Sequence, residues 1–350
     1  MQTPPSQSPL LPAPCGPLSE LVLDLISTPP RPESPASLVH LAEAAAGALA
    51  SVHDPLTDDD LHLALYLVYG LHYRSFTGVD PAWEWDLATS ALRTAFEGAF
   101  EHALREQVEL PSTSDSDRIG GQLFELEAAD DGPRLARFLE RDSNLDQFRE
   151  FVIHRSAYQL KEADPHSWAI PRLTGAPKAA LLEVQFDEYG SGRPERMHSR
   201  LFAQMMNALG LDSNEDFYVG RLPGSTLATV NLMTFFGLHR RNRGAITGHL
   251  AMFEMTSSKP NRSYGNGLRR HGFDENATDF FDEHVEADAV HENIAAYDMA
   301  GGLAKLEPDI AGDILFGAAA LLHVENTFAG HLMDSWQADR SSLGDQPVAA

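Results

Sequence analysis

The sequence predicts an all-α protein, on three observations. Apolar residues recur at three- and four-residue spacing in one segment after another. No convincing two-residue alternation appears, so very little strand is expected. The gaps between periodic segments carry cap residues, glycines and prolines. At 350 residues the chain can bury a sizeable core, and its 43% hydrophobic content is ordinary for a globular protein.

Taken in order, residues 1–35 are rich in Pro and Ser and read as a disordered tail, with at most a short helix at Leu18–Ile26. Residues 36–112 read as N-terminal accessory helices. The first runs from Leu38 to His53. The second follows a Thr57-Asp58-Asp59-Asp60 cap and first turn. A third, after Trp83 and Trp85, has apolar residues at helical spacing; those tryptophans and Tyr73 read as packing residues. Residues 109–121 read as a linker. Helices resume over residues 130–337, the expected core: two between Gly132 and Pro165, one through residues 178–190, and one ended by Gly210. Gly190 and Gly192 with Pro194 should break the chain between the last two. Further helices are expected around Ser225–His239, Gly244–Ser257, Ala277–Ala300 and Pro308–Trp336, with residues 259–273 as a polar loop. Residues 338–350 read as a disordered C-terminal tail. There is no internal repeat.

Composition excludes several classes of function. Fifty-one acidic against 26 basic residues give a net charge of −25. Such a surface repels phosphate backbones, so nucleic acid is not an expected partner. There is no apolar run of about eighteen residues, so no membrane span is expected. The N-terminus has no basic or apolar signal region. With one cysteine, Cys15, the chain cannot form an internal disulfide or a multi-thiolate metal site, which fits a cytoplasmic protein.

The most informative segment is His284-xxx-Asp288-xx-His291. At roughly 100° per residue these three side chains fall within about 60° on one helix face. Two imidazoles and a carboxylate on one stripe suit a divalent iron, manganese or zinc ion. Ala287, Ile294 and Ala295 flank the stripe as a core would. Glu188 and His198 stand on either side of the glycine-rich break. Glu254 interrupts an apolar stretch of Leu250, Met252, Phe253 and Met255, where a buried carboxylate needs a partner. Glu162 lies at a helix end. A dimetal site in a helical bundle is built from such a mixed set, because two cations offset several carboxylates. The competing reading is a solvated acidic helix face with ordinary helix-end carboxylates.

These residues resemble the heme-oxygenase-like diiron oxidases and oxygenases, a family of iron-containing redox enzymes. The matching features are Glu188 followed ten residues on by His198, the isolated Glu254, and the 284/288/291 triplet thirty residues beyond it. The resemblance is clearest over residues 145–335. It implies a heme-oxygenase-like helical bundle without heme, preceded by additional N-terminal helices. It implies Glu162 and His198 on one Fe(II) ion, and His284 or His291 with Asp288 on the other. Glu254 would lie between or beside them, and Glu188 would be an extra ligand that joins as dioxygen is reduced. Dioxygen would be the co-substrate and a small amine- or carboxylate-bearing metabolite the substrate. N-oxygenation, C–H oxidation and oxidative C–C cleavage all stay open. A reductase or small electron donor and a homodimer through the N-terminal helices are further expectations.

Arg172, Lys178, Arg240, Arg241 and Arg243 are candidates to hold a substrate carboxylate. His323 and His331 are read as core or supporting residues. His154, the nearest candidate for a proximal heme ligand, precedes Glu162, and heme is not expected. Two alternatives remain: a metal-free enzyme on the same fold, thiaminase-like or a cofactor-free oxidase, and a non-enzymatic helical binding protein. Manganese or a mixed metal pair would suit the same donors.

Overall fold

In the computed structural model, helices run in the order α1 (Pro17–Ile26), α2 (Pro35–Leu49), α3 (Asp59–Gly70), α4 (Leu87–Gln107), α5 (Ile119–Ala129), α6 (Leu135–Arg141), α7 (Leu145–Gln159) and α8 (Asp164–Ser167). They continue as α9 (Gly175–Glu188), α10 (His198–Ala208), α11 (Gly224–Leu238), α12 (Arg243–Arg270), α13 (Glu275–Asn293), α14 (Gly301–Leu306) and α15 (Ala311–Gln337). The structure describes residues 9–31, 34–111 and 115–346; within α13, the side chains of residues 286–290 are outside the described set. Among the described residues there is no strand. No helix of the described chain is long and apolar enough to cross a membrane.

The chain divides into two units. The first holds residues 1–107, Asn214–Asn231 and residues from Leu343 on; the second holds Val108–Ser213 and Leu232–Ser342. This differs from the expected division into 36–112 and 130–337. Side-chain pairing draws residues 214–231 into the first unit. The Tyr66 hydroxyl donates to Asp216, Gly224 N–H donates to Asp59 (2.6 Å), and the Asn231 amide donates to the His62 carbonyl (2.9 Å).

Both expected tails contain ordered structure. Leu18, Val22 and Ile26 recur every four residues on α1 and are buried. The Asp60 carboxylate accepts from Leu18 N–H (2.7 Å) and Ser19 N–H (2.8 Å), satisfying donors that the start of α1 leaves open. That cap lies about forty positions away, beyond what local composition displays. In the second unit, Glu150 accepts from Ser341 Oγ (2.6 Å), Ser342 N–H (2.9 Å) and Trp336 Nε1 (2.8 Å), anchoring the chain beyond α15.

The second unit is organised around α12 and α15, which touch through reciprocal glycines. A Cβ on Gly248 would lie 1.8 Å from the Ile314 carbonyl oxygen, and one on Gly317 would lie 1.9 Å from that of Ala245. Residues 259–270, expected as a loop, continue α12 through Pro260. A proline inside a helix costs ~3 kcal/mol. Burial of Asn261, Gly265, Gly267 and Leu268 beyond it offsets that cost. At the other end of the unit, α13 passes into a π-helical turn at Ile294–Ala300.

Candidate metal centre

Five segments deliver the donors. An Asn144–Gln147 capping box starts α7, with both reciprocal bonds at 2.9 Å. After α7 the chain turns at Glu162, and Ala163 adopts a left-handed φ of 72°. That conformation costs a β-carbon residue about 1–2 kcal/mol, held here beside a buried carboxylate. Next, α9 ends on Glu188, and Gly190 takes a φ of +72°. A Cβ at Gly190 would stand 2.6 Å from the backbone at Arg196 and Met197. The missing side chain therefore lets the loop close. His198, first residue of α10, then sits with its Nδ1 3.0 Å from Glu188 Oε2. Glu254 comes from α12, and α13 contributes His284 and His291, two turns apart.

These residues form two buried groups. Donor atoms of Glu162, Glu188, His198 and His284 lie within 4.8 Å of one another, as do those of Glu188, Glu254 and His291. Glu188 belongs to both. Asp288 lies outside the described side chains. The resemblance distributed Glu162 and His198 to one ion and His284 or His291 to the other; here His284 stands with Glu162 and His198, while His291 stands with Glu254.

The geometry fits divalent cations. His284 Nδ1 donates to the Phe280 carbonyl at 2.8 Å, which leaves Nε2 as a lone pair, 3.3 Å from Glu162 Oε1. His291 Nε2 is held at 3.1 Å by Asp187 Oδ2, which turns Nδ1 toward Glu254 Oε2 at 3.4 Å. Each imidazole is thus oriented by a supporting acceptor, as metal-bound histidines are. Neither His198 Nδ1 nor His291 Nδ1 is aligned in a hydrogen bond, although each stands close to a carboxylate. Two donors about 2.1 Å from a shared ion and roughly at right angles stand about 3 Å apart, so this spacing is that of neighbouring ligands. Three buried carboxylates without compensating cations would be costly. Divalent cations would supply that compensation.

The imidazoles of the cluster also compensate part of the carboxylate charge themselves. Burial pushes the Glu188 carboxyl up, but the imidazoles of His198, His284 and His291 more than offset it and hold the carboxyl down to about 2. Burial raises Glu162 despite the opposing His284. Burial lowers His291, but Glu254 and then Asp187 outweigh it and raise the ring to about 9. With its NH2 turned toward Glu162, Gln159 donates to both carboxylate oxygens, at 2.6 and 3.1 Å.

Residues 149–326, half of the chain, match the family model described as iron-containing redox enzyme. The chain belongs to that family. No curated protein matches it. All six described donors of this iron-containing redox enzyme fall inside the matched span.

Asp187 was not singled out from the sequence. Its only local signal is adjacency to Glu188, and an acid at a helix end is ordinarily solvated. Three of the arginines expected to hold a substrate carboxylate are engaged elsewhere. Arg172 donates to the Gly237 and Leu238 carbonyls, Arg243 pairs with Glu307, and Arg241 lies over the Phe235 ring. His154 Nε2 is 3.0 Å from Ser342 Oγ, and His331 Nε2 is 2.8 Å from the Ser342 carbonyl. These two histidines secure the chain after α15.

Proposed function

We propose that this iron-containing redox enzyme holds two Fe(II) ions at the buried cluster and uses dioxygen to oxidise a small organic substrate. The observation that carries the reading is Glu188, a carboxylate shared by two buried donor groups. A carboxylate has two oxygens and can serve an ion on each side. When bound, two Fe(II) ions would supply the electrons that reduce dioxygen and the Lewis acidity that orients it.

The protein's part is positional. Glu162, His198 and His284 would hold one ion, and Glu254 and His291 the other. The Phe280 carbonyl and Asp187 orient the rings of His284 and His291. Phe280 packs against His198 and His284, with Phe202 behind it. A small-molecule substrate and a reductase or small electron donor complete the reading.

Anaerobic loading with Fe(II), followed by metal analysis, tests it. About two equivalents are expected per chain, with His198→Ala and His291→Ala each losing about one and His284→Ala abolishing oxygen consumption. A native protein that retains no metal after desalting overturns the reading.

A further inference from the structure

A cavity in the second unit lies against the cluster. It encloses about 250 Å³, room for a molecule on the order of ten non-hydrogen atoms, given a water's ~30 Å³ share of liquid volume. Glu162 and His284 line its depth, with side chains only 1% and 6% exposed. Arg155 and Glu325 line it nearer solvent, at 21% and 25%. Arg155 precedes Glu162 by seven residues, about 10 Å along the axis of α7 and its following turn. Phe151, Phe253 and Tyr264 contribute aromatic wall between these levels.

We propose that this cavity receives the organic substrate and selects a compact amine with an aromatic or alkyl body over a carboxylic acid, with Glu325 deciding the choice. The proposal rests on the two-iron reading for which end of the ligand is oxidised, and on the cavity alone for which ligand enters. Arg155 is the one guanidinium or ammonium group among the described lining residues. Glu325 grips it on two sides, at 2.9 and 2.7 Å. The guanidinium also lies 4.4 Å from the centre of the Phe328 ring. An entering carboxylate would have to displace Glu325 and then face its charge, with Asp130 also on the lining.

An ammonium meets the opposite situation. Each carboxylate offers about four acceptor positions. Glu325 spends two on Arg155, and Asp130 accepts from the Asn326 amide at 2.6 Å. Acceptor capacity is left on both, and aromatic faces further favour a cation. Charge-assisted hydrogen bonds of this kind are worth about 1.5–3 kcal/mol, which is tenfold or more in affinity.

The test uses three probes of matched size: phenethylamine, 2-phenylethanol and phenylacetate. Their affinities for the full-length protein are measured by anaerobic calorimetry, with and without Fe(II). Phenethylamine should bind at least tenfold tighter than phenylacetate, with the alcohol between. Glu325→Gln keeps the shape, removes the charge and releases Arg155. It should weaken phenethylamine at least tenfold and strengthen phenylacetate, reversing the order. Phenylacetate binding the native protein as tightly as phenethylamine overturns the proposal. So does an unchanged order in the variant, or no binding of any probe at millimolar concentration. The native ranking needs no variant, so a poorly folding Glu325→Gln does not remove the test. Loss of iron with the ranking intact overturns the two-iron reading and leaves this one standing.

Discussion

Gly248→Ala is the most informative packing change in the second unit. The new Cβ would stand 1.8 Å from the Ile314 carbonyl oxygen and 2.7 Å from the Ile314 carbonyl carbon. Carbon–oxygen contacts across helix interfaces need about 3.3 Å or more, so α12 and α15 must separate locally by about 1.5 Å. Both sides of the clash are backbone, and no rotamer relieves it. A gap of 0.5–1 Å already forfeits a quarter to a half of the dispersion energy of the atoms facing it. The cost should therefore reach the upper part of the overpacking range, about 3 kcal/mol. At 2–4 °C per kcal/mol for a domain of 150–250 residues, Tm should fall by about 6–12 °C. Gly330→Ala on the same α15 is the control, because nothing lies within 4 Å of its added Cβ. It should gain the helix-propensity difference of about 0.5–1 kcal/mol and raise Tm slightly. Scanning calorimetry reads both. A fall of less than about 2 °C for Gly248→Ala, or two variants equally destabilised, refutes the reasoning.

Asp187→Ala should weaken Fe(II) binding about 10–100-fold by freeing the His291 ring to rotate, the usual effect of losing such a support; an anaerobic chelator competition that finds less than a twofold change removes Asp187 from the site. In the first unit His62 is fully buried, and burial lowers it to about 4 against opposing bonds to the Pro55 and Leu56 backbone. A depressed histidine is neutral in the fold and binds its proton more readily when unfolded, so its contribution is complete above pH 6.5 and is lost as pH falls toward 4. The loss by pH 5 is about 2 kcal/mol; urea unfolding at pH 7 and pH 5 should show that much more acid sensitivity in the native protein than in His62→Gln, and equal sensitivity would contradict it.

Helix periodicity was readable in the sequence because it is local, and so were the break after Glu188 and the His284/His291 stripe. Where the reading departed from the structure, distant contacts outweighed local composition. The short helix expected at Leu18–Ile26 is present as α1; what local composition did not display is that Asp60 caps it from about forty positions away. The polar stretch around Pro260 stays helical because it is packed on several sides.

The sequence alone determined the chemistry available here: helices with imidazoles and carboxylates at spacings that suit metal ions, and too few cysteines for thiolate sites. Only the tertiary structure decided that Glu188 is common to both donor groups, that Asp187 orients His291, and that Arg155 is bound by Glu325 instead of waiting for a substrate. Those facts depend on distances between segments up to 170 positions apart. Such distances are set by where α12, α13 and α15 cross and by how tightly the chain turns at Gly190, and neither leaves a periodic trace along the chain.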